Sequence, residues 1–457
     1  MKRSLNIIFG LLSILLTGLL LVAIVLPHLF IQIEDSTPAS TSAVVETTTP
    51  TQSTPPTQST LPTEPPVVKE STFTLGATGD ILLHKNVIRS GYDKTTDTYD
   101  FTHFFQYLKD YISGLDYAVG NMEGTLAGNE NGYNYSGYPQ FNAPDAIVDA
   151  AKDAGFDMLL TANNHSYDTR SFGFHRTQEI ISGMGLDYIG TRPSADVKNY
   201  IIKDIQGVKI GMSNYTYDTR HETGDHLSLN SIPLNAADTS LVNTFNQYQL
   251  DAFYEKLEQE IASMRSDGAQ IIILFIHWGD EYHIEPNNTQ KAMAQKLCDM
   301  GVDVIIGGHP HVIQPVEMLT STTQPERNTI CIYSLGNSVS NIRGSRYPLE
   351  AMDCIFFTLT FAKYSDGSVL VEKAEILPYY VNRYWYTSAI PYRYPLVPLN
   401  LPQEQWKEAY DLTDEMFAAC QASLDRTNAI VAEGLLDVNT VLAQRQIALE
   451  TALGISQ

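Results

Sequence analysis

The sequence predicts an α/β fold in which helices cover a sheet or a pair of sheets. From Thr72 onward, short apolar runs rich in β-branched residues alternate with amphipathic segments. Runs such as Ile271-Ile272-Ile273-Leu274-Phe275-Ile276 are apolar without interruption, as central strands buried on both faces require. Polar residues with chemical potential gather where those runs end. In open α/β sheets the crevice beyond the carboxyl ends of the strands is where ligands bind.

Taken in chain order, Lys2 and Arg3 precede a charge-free stretch, 7–26, made almost wholly of Ile, Leu, Val, Phe, Ala and Gly. About 20 such residues, rising about 1.5 Å each, span a bilayer core of about 30 Å. Apolar character continues to Ile33, and no small-x-small cleavage site follows. The reading is an uncleaved single-pass anchor over 1–34, its N-terminus cytoplasmic by the positive-inside rule and the remainder extracellular at the cell membrane. A cleaved signal peptide is the alternative. Residues 35–70, mostly Ser, Thr, Pro, Gln and Glu, lack the apolar groups needed to offset the entropy of ordering and read as a disordered stalk.

Strands are expected at 73–79, 117–121, 158–162, 209–214, 271–277, 302–307, 330–335, 355–361 and 369–376. Helices are expected at 101–112, 145–154, 174–184, 245–265 and 289–300. These define a domain over 71–400, followed by a helical C-terminal extension, 401–457, of two or three helices packed on the outside. A formal net charge of −23 argues against nonspecific contact with nucleic acid, which would be repelled by the surface as a whole. The four cysteines, Cys298, Cys331, Cys354 and Cys420, are too dispersed for a disulfide scaffold or a zinc ribbon and read as buried small hydrophobes.

Five clusters sit at strand ends: Gly79-Asp80, Gly120-Asn121-Met122-Glu123, Asn163-Asn164-His165, Ile276-His277-Trp278-Gly279-Asp280 and Gly307-Gly308-His309-Pro310-His311. Carboxylates such as Asp80 and Glu123, with the amide oxygen of Asn164, suit a divalent cation. The imidazoles of His277, His309 and His311 suit Zn²⁺, Mn²⁺ or Fe²⁺. Such a mixed set would lower the pKa of bound water and polarise a phosphoryl or carbonyl oxygen. Asp280 and Glu281 are candidates to orient the His277 ring. Trp278 and Asn337 are candidate substrate contacts, with packing and turn formation as their alternatives. The tyrosine-rich run 379–386 reads as a polymer-contacting lip or as ordinary edge packing.

At these clusters the sequence resembles the CapA family of poly-γ-glutamate capsule proteins, within the calcineurin-like metallophosphatase superfamily. The stretches that carry the resemblance are Ala77-Thr78-Gly79-Asp80, Gly120-Asn121-Met122-Glu123-Gly124, Thr161-Ala162-Asn163-Asn164-His165, Ile276-His277-Trp278-Gly279, Gly308-His309-Pro310-His311-Val312-Ile313-Gln314-Pro315 and Tyr333-Ser334-Leu335-Gly336-Asn337. The resemblance implies a four-layer αββα sandwich and a membrane-bound partner of other capsule-synthesis subunits that acts on or holds poly-γ-glutamate. It implies one or two divalent ions held by Asp80, Asn164, His277, His309 and His311, with Glu123 in the place of a bridging aspartate. His165 would be the proton donor or oxyanion stabiliser, and Glu123 would join it in catalysis. Two positions depart from the pattern: Leu82 stands where a phosphatase first motif has His, the nearest imidazole being His84, and Asn142 stands where the family often carries Arg at a substrate contact. Two functions stay open: a metal-dependent hydrolase acting on a γ-glutamyl polymer or another amide or phosphoester, and a noncatalytic polymer-binding and export module.

Overall fold

The computed structural model describes residues 67–219 and 226–452. In chain order the strands of the two large sheets are β1 (Lys69–Ile81), β2 (Tyr117–Met122), β3 (Met158–Leu160), β4 (Asp187–Ile189), β5 (Ile201–Ile205), β6 (Val208–Tyr217), β7 (Thr244–Phe245), β8 (Ile271–His277), β9 (Val304–Gly308), β10 (Val316–Thr320), β11 (Asn328–Ile332), β12 (Asn337–Val339), β13 (Asp353–Tyr364), β14 (Val369–Val381) and β15 (Leu396–Pro398). The main helices are α1 (Ala146–Ala154), α2 (Arg170–Gly183), α3 (Leu250–Ser266), α4 (Asn288–Met300) and α5 (Asp414–Ala452).

One mixed sheet has the order β15-β14-β13-β1-β2-β3-β4, with β12 pairing with the end of β1. The other has the order β7-β6-β8-β9-β11-β10, with β5 antiparallel to β6. The two-residue period of a strand explains how they stack. In β8, Ile271, Ile273 and Phe275 meet Leu75, Val119 and Met158 of the first sheet, while Ile272, Leu274 and Ile276 face Phe253, Leu257 and Met264 of α3 and Met293 and Leu297 of α4. The first sheet turns its outer face to Ile147, Val148 and Ala151 of α1 and Ile181 of α2. Helices therefore lie outside two facing sheets, and the uninterrupted apolar run of β8 is what burial on both faces demands.

Three expectations are corrected here. The helix expected over 101–112 is two short turns, Thr102–Phe105 and Lys109–Ser113. The C-terminal extension has two short helical turns, Gln403–Gln405 and Trp406–Tyr410, and one helix of 39 residues, α5, which is not packed on the outside as expected. Its Val431, Val438 and Leu442 enter the same core as the inner faces of both sheets. It approaches β10 so closely that a Cβ on Gly434 would lie 1.9 Å from the Val316 carbonyl oxygen. Asn439 both donates to and accepts from the backbone of Ala374 in β14, at 2.9 Å each way.

The third correction concerns localisation. The anchor expected over 1–34 and nearly all of the stalk expected over 35–70 lie outside the described residues, and β1 already begins at Lys69. Among the described residues no helix is long and apolar enough to cross a membrane. The single-pass membrane placement read from the sequence is overturned on that finding.

Candidate metal centre

The strand ends converge. Asp80 lies in the last turn of the β1 pleat, where β1 pairs in parallel with both β2 (Asp80 opposite Asn121) and β12 (Asp80 opposite Asn337). That double pairing needs a glycine, since a Cβ on Gly79 would lie 1.8 Å from the Gly336 carbonyl oxygen. Glu123 follows β2, Asn164 and His165 follow β3, His277 ends β8, and His309 and His311 follow β9. The turn after β9 places His309 at φ 95° and His311 at φ 57°, both in the sparsely occupied left-handed region. Its shape is held by the Tyr282 N–H, which donates to the Pro310 carbonyl at 2.7 Å.

Two groups of side chains there can hold a metal ion: Glu123, His277 and His309, and Asp80, Glu123 and His311, with the ligand atoms of each group within 4.8 Å of one another. Glu123 belongs to both. Asn164 joins the first group, its Oδ1 lying 2.8 Å from His277 Nε2. Every one of these residues is buried. Glu123 Oε1 and Oε2, Asp80 Oδ2 and His309 Nδ1 have no hydrogen-bond partner. Leaving a carboxylate so enclosed costs several kcal/mol per ion unless something compensates it, and a divalent cation fits that donor set in number, charge and softness.

The electrostatics agree with the fit. Burial, then the charge of Asp80, pushes the Glu123 carboxyl well above its usual range. Burial pushes His277 and His309 well below theirs, keeping both neutral, the form in which imidazole ligates metal. Burial also opposes charge on His311, but Glu123 and Asp80 outweigh it and raise that ring to about 9.

His165 stands beside this group, its Nε2 4.0 Å from Glu123 Oε1. Its Nδ1–H donates to Asp168 Oδ2 at 2.7 Å, and Asn230 Nδ2 donates to Asp168 Oδ1 at 2.8 Å. The ring is thereby fixed with Nε2 toward the carboxylates. Sequence reading missed Asp168, although an acid three residues after a histidine in a turn is a findable signal. It also assigned no role to Asn121, whose Nδ2 donates to Asp80 Oδ1 at 2.7 Å, or to Tyr217, whose ring packs 4.9 Å from His309.

The expected substrate contacts are placed as follows. Asn142 is fully buried, accepting from Ala127 N at 2.7 Å and donating to the Gly128 and Asn134 carbonyls at 2.8 and 3.0 Å. It ties a loop and has no group left for a ligand. Asn337, also buried, holds His311 instead: its Oδ1 lies 3.0 Å from His311 Nδ1 and its Nδ2 donates to the carbonyls of His311 and Ala351. Trp278 is 1% exposed and donates to the Tyr333 carbonyl at 2.9 Å; it packs beneath the site and also lines the cavity beside His309. Asp280 accepts from Asn287 at 2.8 Å rather than orienting His277. Leu82 packs with Phe141, Val312, Ile342 and Ala351, so the position that lacks an imidazole is filled by apolar core. A cavity of about 320 Å³ opens beside His309, bordered by Tyr217, Gln247, Asp280, Glu281 and Asn287.

Fold and site together define an α/β sandwich protein with a candidate metal centre at the carboxyl ends of its strands. Comparison with known families makes the assignment specific. The chain belongs to the family described as bacterial capsule synthesis protein PGA_cap, whose model matches residues 74–342. It is 27% identical over 277 residues to the capsule biosynthesis protein CapA of Bacillus anthracis, covering 58% of this chain and 59% of that one. It is 28% identical over 263 residues to the PGA biosynthesis protein CapA of Bacillus subtilis (strain 168), covering 57% and 61%. The matches thus span about three fifths of those relatives. Among solved structures, the sulfate thiohydrolase SoxB from "Termus thermophilus", in complex with glycerol, is similar at 14% identity and a TM-score of 0.32, over 71% of this chain and 46% of that one.

Proposed function

We propose that this protein serves capsule polymer synthesis as a metal-dependent hydrolase acting on poly-γ-glutamate. The observation that carries the reading is Glu123, buried between two histidine-and-carboxylate groups with neither oxygen hydrogen-bonded. Asp80, Glu123 and His311 would hold one ion of Mn, Zn or Fe, and Glu123, Asn164, His277 and His309 a second. Ions of this kind, when bound, polarise a carbonyl or phosphoryl oxygen and acidify bound water. The remaining work falls to the chain. As water adds across a γ-amide and the C–N bond breaks, His165 Nε2 gives its proton to the departing nitrogen. Asp168 steadies the imidazolium through Nδ1. Asn337 and Asn121 keep His311 and Asp80 in place.

A second reading, a noncatalytic polymer-binding and export module, draws on Leu82: one group has only three candidate ligands, and the position without its imidazole packs into apolar core. The deciding experiment is metal analysis of the purified protein, followed by turnover of γ-glutamyl oligomers and a phosphoester panel with and without chelator. Chelator-sensitive cleavage is expected on the oligomers. Bound metal without turnover on any substrate would leave the binding module in its place.

A further inference from the structure

On a chain of net charge −23, one stretch of surface beside the site carries arginines and aromatic rings instead. Loop 341–347 starts at Asn341, whose N–H points to His84 Nδ1 at 3.4 Å and whose Oδ1 accepts from the Tyr394 hydroxyl at 3.1 Å. It ends at Tyr347, 40% exposed, whose ring lies 5.3 Å from Tyr282, itself 6.0 Å from the His311 ring. Between them stand Arg343 and Arg346. Arg343 donates to the Val381 carbonyl at 3.3 Å. Beyond Val381, a two-stranded ribbon pairs Tyr384–Trp385 with Tyr392–Arg393. Arg383 lies 3.7 Å over the Tyr392 ring and Arg393 lies 4.7 Å over Tyr386, while Trp385 and Tyr386 are 61% and 48% exposed.

These arginines differ from those that hold the fold together. Arg176, Arg265, Arg327 and Arg426 are each paired with an aspartate. Among the described residues, Arg343, Arg346 and Arg383 have no carboxylate within 4.0 Å. Burial pushes Arg343 below the usual guanidinium range, with Tyr380 opposing and the charge of Arg383 adding to it. A guanidinium stacked on a ring uses its face and keeps the N–H fork at its edge free for a carboxylate.

We propose that loop 341–347 and the ribbon at 384–393 form a docking track for a polycarboxylate chain. Arg343, Arg346 and Arg383 take its carboxylates, Trp385 and Tyr386 cover its aliphatic backbone, and the chain is led past Tyr347 and Tyr282 to the metal centre. The track rests on the γ-glutamyl polymer as substrate, and it lies almost wholly beyond residues 74–342, the part that matches the family model. It supplies the anion contact that Asn142, committed to its own loop, cannot make.

The test is fluorescence anisotropy of the purified full-length protein with labelled poly-γ-glutamate over a range of salt. The parent is expected to bind, more weakly as salt rises. Arg346→Gln with Arg383→Gln should raise Kd about tenfold and flatten the salt dependence, in line with the loss of two cationic contacts. Arg346→Glu with Arg383→Glu should weaken binding further, and the paired Lys substitutions should restore part of it. Arg346 is exposed and Arg383 half-buried, so melting curves of each variant check that the fold is intact. Equal affinity in the parent and the Glu variant overturns the track, while the substrate reading is judged separately by chelator-sensitive turnover. A parent that neither binds nor cleaves the polymer sinks both.

Discussion

A buried carboxylate whose oxygens accept no hydrogen bond is a liability unless a ligand needs it, and Glu123 is such a group, with His277, His311 and His165 standing 3.7, 3.9 and 4.0 Å from it. Its position predicts how single substitutions divide. His309→Ala should lower metal content and turnover together, whereas His165→Ala should leave metal content nearly unchanged and slow turnover by about 10²–10⁴, the range of a positioned acid or base. Glu123→Ala should resemble His309→Ala, because Glu123 belongs to both ligand groups. Identical metal content in all three variants and the parent would remove the catalytic reading. Asp168→Asn addresses orientation: it should slow turnover while sparing metal, because the His165 proton loses its ionic acceptor. A parallel fall in metal content would make Asp168 a scaffold residue and nothing more.

The joints between elements are where glycine and buried charge have measurable consequences. A Cβ at Gly434 would meet the Val316 carbonyl oxygen at 1.9 Å, whereas one at Gly183, near the end of α2, would meet nothing within 4 Å. Gly434→Ala should therefore destabilise by about 1–3 kcal/mol or more, as overpacking does. Gly183→Ala should stabilise by about 0.5–1 kcal/mol, since helix propensity alone is at stake. Thermal melts of the two variants should move in opposite directions, and movement in the same direction would contradict the packing. The other joint is Asp353 of β13, gripped at both oxygens by Arg426 of α5 at 2.7 and 2.6 Å. Burial raises its carboxyl to about 6, with Arg426 opposing. The folded protein thus holds this proton more tightly than the unfolded chain, whose Asp titrates near about 3.9. The group's contribution, about 3 kcal/mol at most, is complete below about pH 4 and is lost as pH rises through about 6. Asp353→Asn should flatten the pH dependence of Tm in that window; parallel curves for variant and parent would show that the carboxyl does not titrate there.

At the scale of the whole molecule, α5 shares one core with both sheets through Val431, Val438 and Leu442. Unfolding of 67–452 is expected to be a single cooperative transition, with no separate step for the C-terminal segment. Protein ending at Thr413 should lose that transition and bind a hydrophobic dye, since the inner face of β14 and the edge of β10 would be uncovered. A truncated protein that melts as sharply as the parent would make the C-terminal helix an accessory.

The sequence by itself determined the strands that are apolar on both faces, most of the helices between them, and the placing of Asp80, Glu123, Asn164, His277, His309 and His311 at strand ends. Burial on two faces leaves a pattern along the chain, and ligand types at strand ends are a local feature. Short or polar edge strands such as β4, β5, β10 and β12 escaped it, because their pairing is set by neighbours distant in sequence. Only the tertiary structure decided that Glu123 is common to two ligand groups, that Asp168 and Asn337 position His165 and His311, and that Asn142 and Trp278 are committed to packing. Those outcomes depend on which chain segment lies within hydrogen-bond reach of another, and no periodicity or composition encodes that distance.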